Sequence, residues 1–105
     1  MSVYIVLGSY SNEGAGGLVS GDSDRKAVME TFHSSVGAKL ISVDITRGQY
    51  DVCVMFEAES FAQVAAMTLK ARSSGAVADC VTLETVDLEE IRSVAKGVQY
   101  TPPSG

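Results

Sequence analysis

Residues 39–58, KLISVDITRGQYDVCVMFEA, carry two apolar runs on either side of Arg47-Gly48. A strand turns its side chains to opposite faces at successive residues, so alternating runs of this kind read as half-buried strands. Ile41, Val43 and Ile45 take one side of the first; Leu40, Ser42 and Asp44 take the other. Arg47 and Gly48 supply the centre of a tight turn, with the glycine contributing the positive φ. That turn sets Ile45 opposite Tyr50, Val43 opposite Val52 and Ile41 opposite Val54. It also sets Asp44 against Asp51.

Each flank of the hairpin adds a helix and a strand. VYIVLGSY (3–10) is β-branched and aromatic and predicts a strand. SNEGAGGLVSG (11–21) holds four glycines and predicts a loop. Residues 22–37 predict a helix capped by Asp22 or Ser23 and stopped by Gly37, with Val28, Met29, Phe32 and Val36 on one face. Residues 60–75 repeat the pattern, with Ser60 as cap and Gly75 as stop. Residues 77–86 predict a fourth strand. Asp87 then caps a short helix over 87–97, and Pro102-Pro103 keep the tail irregular. The domain is expected over 1–97 and the tail over 98–105. The order β-α-β-β-α-β is the split βαβ, or ferredoxin-like, α+β arrangement. It predicts an antiparallel sheet of order 4-1-3-2 with both helices on one face.

At 105 residues the chain suits one domain. Its formal net charge is −5, and its eight basic residues form no run. That argues against nucleic acid and against an anionic membrane as partners. Cys53, Cys80 and a single histidine, His33, lack zinc-ligand spacing. No motif calls for a metal, haem, flavin or other cofactor. GGLVSGDS (16–23) has the frame of a phosphate loop, but Asp22 stands where that loop needs lysine. The start of the chain has no basic segment before its apolar run, so a cytoplasmic protein is expected.

Helices on one face leave the other face to be explained. The hairpin assigns Leu40, Ser42, Asp44, Asp51, Cys53, Met55 and Glu57 to it. Tyr4, Val6, Gly8 and Tyr10 are expected to join them, with Cys80, Thr82 and Glu84 from the last strand. Such a mixed surface predicts a second copy of the chain laid against it as a homodimer. Two facing sheets would enclose a chamber for a small organic molecule.

Gly48-Gln49-Tyr50-Asp51 resembles the Gly-x-Tyr-Asp signature of the GYD-domain family, as do the surroundings YIVLGSYSNEG, YDVCVMFEA and VTLETV. The resemblance spans about residues 3–90; GAGGLVSG is richer in glycine than the family pattern. It implies a ferredoxin-like domain of the dimeric α/β-barrel superfamily and no particular reaction. Neighbouring families include cofactor-free monooxygenases, isomerases, haem enzymes and amino-acid sensors.

Asp51 and Tyr10 are the candidate catalytic pair. The first and third strands run antiparallel, bringing Tyr10 near Asp51 to bind or deprotonate a polar ligand. Opposed Asp44 and Asp51 would favour one protonated acid. The competing reading has Asp51 bonded to backbone N–H groups of the turn and Tyr10 as an aromatic plug. Ser42, Asp44, Cys53, Cys80 and Thr82 are candidate ligand contacts. Cys53 and Cys80 would lie on one face about 10 Å apart, beyond disulfide reach. Glu57 and Glu84 read as solvated strand ends and His33 as boundary packing. Three functions stand: a small-molecule-binding dimer, a cofactor-independent monooxygenase- or isomerase-like enzyme using Asp51 and Tyr10, and a structural dimer without ligand.

Overall fold

A computed structural model describes residues 1–104. They form β1 (Ser2–Tyr10), α1 (Asn12–Ser20), α2 (Arg25–Ser34), β2 (Lys39–Ile45), β3 (Val52–Ala58), α3 (Phe61–Ser73), β4 (Val77–Glu84) and α4 (Leu88–Ala95). The strands make one antiparallel sheet of order β2-β3-β1-β4, the predicted 4-1-3-2 order. α2 and α3 cover one face of it. Phe56, Val54, Val52 and Tyr4 of the sheet pack there with Val64 and Met67 of α3. Met29 and Phe32 of α2 close over the same core.

The punctuation of the sequence does its expected work at three glycines. Gly37 (φ 80°) ends the turn after α2, Gly75 (φ 84°) the turn after α3, and Gly48 (φ 131°) lies in the hairpin loop. Positive φ of this kind strains any residue bearing a Cβ. At the start of α3, Gln63 Oε1 accepts from the Ser60 N–H at 3.0 Å and the Glu59 N–H at 2.8 Å. The other end of the same amide donates to the Val36 carbonyl at 2.7 Å. One side chain thus closes α3's first turn and ties it to the exit of α2. The cap of α2 is Asp24, not Asp22 or Ser23: its carboxylate accepts from Ala27 N–H at 3.2 Å.

Three expectations are corrected. First, the hairpin loop is longer than a two-residue turn. Thr46 N–H bonds to the Asp51 carbonyl at 2.8 Å, so Ile45 faces Val52 and Val43 faces Val54. A slip of two residues preserves faces, so Val43 and Ile45 still turn to the helices. Asp44 now faces Cys53, which dissolves the expected pairing with Asp51. A register shift between Leu40 and Ser42 adds one residue at Ile41. One extra residue reverses the alternation, so Leu40 opposes Phe56 and joins the core instead of the open face.

Second, β1 and β4 turn the other way. Tyr4, Val6 and Gly8 oppose Phe56, Val54 and Val52, and so share the helix-covered face. Glu84, Thr82 and Cys80 oppose the same three β1 residues from β4. The open face instead holds Val3, Ile5 and Leu7, with Cys53, Met55 and Glu57 beside them on β3 and Val81 and Leu83 on β4. β1 is apolar at both parities, and the larger ring of Tyr4 takes the core. Its stacking on Phe56, at 5.8 Å between ring centroids, fixes the choice.

Third, residues 12–20 of the expected loop are helical. Ser11 caps α1 by accepting from Gly14 N–H at 3.0 Å and donates to the Gly75 carbonyl at 2.6 Å. The Ser11 N–H also bonds to the Ala76 carbonyl at 2.9 Å. A Cβ at Gly14 would lie 2.0 Å from that carbonyl oxygen, so only glycine lets α1 seat on the α3–β4 turn.

α1 and α4 project from the body. Leu88, Ile91 and Val94 of α4 are exposed. The radius of gyration is 17.2 Å, against roughly 13 Å for a compact chain of this length. Among the described residues, no helix is long and apolar enough to cross a membrane.

Candidate functional site

α2 and α3 run side by side over the sheet but do not close on each other along their whole length. Between them lies a cavity of about 360 Å³, half open to solvent. Its floor is the helix-facing side of the sheet, with Val6, Gly8 and Tyr10 of β1, Val43 and Ile45 of β2, and Val52 and Val54 of β3. Val28, Met29 and Phe32 form one wall, and Met67, Thr68 and Ala71 the other. Gly8 sits where a Cβ would come 3.1 Å from Val52 Cγ1, so its lack of a side chain keeps this part of the floor low.

The Gln63–Val36 bond holds the helices together at the end where α2 leaves and α3 begins. The antiparallel strands require α2 and α3 to run in opposite directions. The start of α2 and the end of α3 therefore meet at the far end, where Arg25 and Lys70 line the cavity with Ser74. Arg25 is half-buried and Lys70 exposed. Among the described residues, neither makes an ion pair; the one found joins Arg92 to Glu89 within α4.

His33 forms part of the wall and is 2% exposed. Its Nδ1 lies 2.7 Å from the Met29 carbonyl, which makes that nitrogen the N–H donor of a neutral ring. Its ring meets Phe56 edge-on at 4.8 Å and Phe32 at 5.6 Å. Burial lowers its pKa, and the bond to the Met29 carbonyl opposes that shift. The histidine is thus core packing deeper than the boundary position expected of it.

Cys80 also lines the cavity. Burial pushes its thiol pKa up; Arg72 draws it down and Asp79 adds to the rise. A raised thiol pKa keeps the sulfur protonated and a poor nucleophile at neutral pH.

The predicted site residues separate. Tyr10 and Cys80 line the cavity. Thr82 shares their face, opposite Val6, but lies outside the lining. Cys53 is on the open face, so the two thiols lie on opposite sides of the sheet and not on one; both are free. Asp44 and Ser42 oppose Cys53 and Met55 and so also belong to the open face. Asp51 sits at the sheet's end, where its Oδ2 accepts from the Tyr10 N–H at 2.9 Å. The acid therefore anchors the backbone of β1 and not the turn, while the Tyr10 side chain lies in the cavity.

Arg25, Lys70 and His33 were not among the predicted contacts. Helical spacing carries the signal for the cations. Arg25 stands three and four residues before Val28 and Met29, and Lys70 three after Met67. Each therefore flanks an apolar stripe at one end.

A family model for the GYD domain matches residues 4–95. No curated protein matches the sequence. Among solved structures, the crystal structure of FFRP-DM1 is similar at 20% identity, covering 82% of this chain and 100% of that one, with a TM-score of 0.55. A hypothetical protein, PHS023 from Pyrococcus horikoshii, is similar at 13% identity, covering 82% and 90%, with a TM-score of 0.51. At such identities the likeness shows the fold alone.

Proposed function

The chain belongs to the GYD-domain family, and on that fold we propose a small-molecule-binding protein that works as a homodimer. The cavity between α2, α3 and the sheet carries the reading. Its volume of about 360 Å³ falls within the range of ligand sites, and its walls are apolar with a few polar groups. Its apolar walls are wetted through the open side, so an apolar ligand that displaced that water would bury them. The chamber that supports the reading therefore lies beneath the helices and not between two sheets.

The dimer has its own support. Val3, Ile5, Leu7, Met55, Val81 and Leu83 form an apolar strip on the face away from α2 and α3, half-buried save for the exposed Leu83. A strip of this kind marks an interaction surface, and self-association about a two-fold axis is its simplest use. Burial of two such strips against each other would resemble the packing of a β-sandwich. Two free thiols suit a reducing, cytoplasmic setting.

The enzyme reading has less support. Asp51 is already engaged by the Tyr10 N–H, and the phenol it was to work with lies in the cavity.

Nile red, an uncharged dye that brightens in apolar surroundings, tests the binding reading. Ala71→Trp would fill the cavity from α3 and abolish the dye's signal with far-ultraviolet circular dichroism unchanged. Ile5→Glu, on the open face, would leave the signal intact. The opposite pattern would move the dye to the open face and defeat the reading.

A further inference from the structure

We infer that the ligand of the cavity is an amphiphilic monoanion, most simply a carboxylate, with its apolar part under α2 and α3 and its charge at the mouth between Arg25 and Lys70. The inference rests on the reading of the cavity as a binding site and specifies its ligand class.

Charge placement carries it. The chain has 13 acidic and 8 basic residues, yet the charged residues lining the cavity are Arg25 and Lys70, and no aspartate or glutamate joins them. The acid next to Arg25 in sequence, Asp24, is turned to the backbone as the cap of α2. Both cations lack an ion-pair partner among the described residues. They come from different helices, and the antiparallel run of those helices brings them to the same end.

A guanidinium and an ammonium at the rim of an apolar space suit one carboxylate: the arginine offers a forked donor and the lysine a mobile point charge. The Thr68 and Ser74 hydroxyls on the same wall already donate to the Ala65 and Ala71 carbonyls at 3.2 and 2.6 Å, so the two cations are what the wall offers an anion. A neutral ligand would leave the cations idle, and a cationic amphiphile would be repelled. A polyphosphate is disfavoured by the net charge of −5 and by an apolar floor with no glycine-rich phosphate loop. His33, neutral and buried, adds no third charge.

The test compares three probes with the same ten-carbon tail: decanoate, decanol and decyltrimethylammonium. Binding to the full-length protein is followed by titration calorimetry at pH 7, below the micelle concentration of each. Decanoate is expected to bind about tenfold tighter than decanol, as a charge-assisted contact at a partly open mouth gives, and the ammonium weakest. Arg25→Gln with Lys70→Gln would remove the preference, bringing the decanoate-to-decanol affinity ratio close to one. Both residues are outside the core, and circular dichroism checks the fold of the double variant. Arg25→Lys, which keeps the charge, would retain part of the preference. Equal binding of decanoate and decanol to the unaltered protein, or a preference that survives the double substitution, would overturn the anionic assignment and leave the cavity reading standing. Failure of all three probes, with Nile red also silent, would remove the cavity reading itself.

Discussion

Phe56 and Met55 are neighbours in β3 and point to opposite sides of the same sheet. Phe56 is 1% exposed, enclosed by Tyr4, His33 and the two covering helices. Met55 stands between Ile5 and Ser42 on the face away from α2 and α3. The two faces are similarly apolar at the sheet's centre. They differ in what lies above them: one has α2 and α3, which leave a half-open cavity, and the other has neither. Apolar composition therefore says that a surface is to be hidden, and only topology says by what.

The sharpest way to test that contrast is to delete one side chain from each face. Phe56→Ala is expected to lower unfolding stability by about 3–5 kcal/mol at every protein concentration, measured by urea denaturation, because the cavity it leaves is internal to one chain. Ile5→Glu, at the centre of the strip on the open face, acts through assembly instead. Sedimentation velocity is expected to show a dimer become a monomer, with the concentration dependence of Tm lost. A monomeric unaltered protein would break the comparison, since the open face would then be stable in water.

A smaller effect separates the faces by pH. The folded pKa of His33 is lowered by burial from its ordinary 6.5. The unfolded chain therefore binds the proton first as pH falls. The His33 contribution to stability is constant above about 6.5 and declines below it, until the folded state also protonates. His33→Phe is expected to remove that part of the acid sensitivity in denaturation curves at pH 5 and pH 8. A wild-type slope retained in the variant would assign it to other groups.

The smallest effects belong to α1. Gly16 and Gly17 have open space at the Cβ position, so alanine at each should stabilise the helix by about 0.5–1 kcal/mol. Gly14→Ala should do the reverse, because the new methyl meets the Ala76 carbonyl. Amide hydrogen exchange over residues 12–20 distinguishes the two outcomes.

These contrasts also explain how far the sequence could be read. Strand order, both covering helices and the stops at Gly37 and Gly75 were legible because periodicity and positive-φ glycine are local signals. The face of β1 was not. Val3, Ile5 and Leu7 compete on equal terms with Tyr4 and Val6, and the contact between Tyr4 and Phe56 that decides is 52 residues apart in sequence. The extra residue at Ile41 was equally hidden, since no glycine or proline marks it. α1 was missed because three glycines outweighed one capping serine; its seat against Gly75 and Ala76 is a tertiary contact. The candidate site inherited the error in β1. Once that strand is reversed, Tyr10 and Cys80 move to the side of Arg25 and Lys70, and Asp51 is left holding the end of a strand.

Among the described residues, Gln63 supplies the side-chain hydrogen bond that ties α3 to the exit of α2, a geometry like tweezers with a riveted heel. α2 is ten residues long, or about 15 Å, so a tilt of about 5° at the heel moves its first turn by about 1.3 Å. For the proposed ligand, such a tilt would set the gap between the cationic tips while the rivet and the sheet beneath it stay where they are.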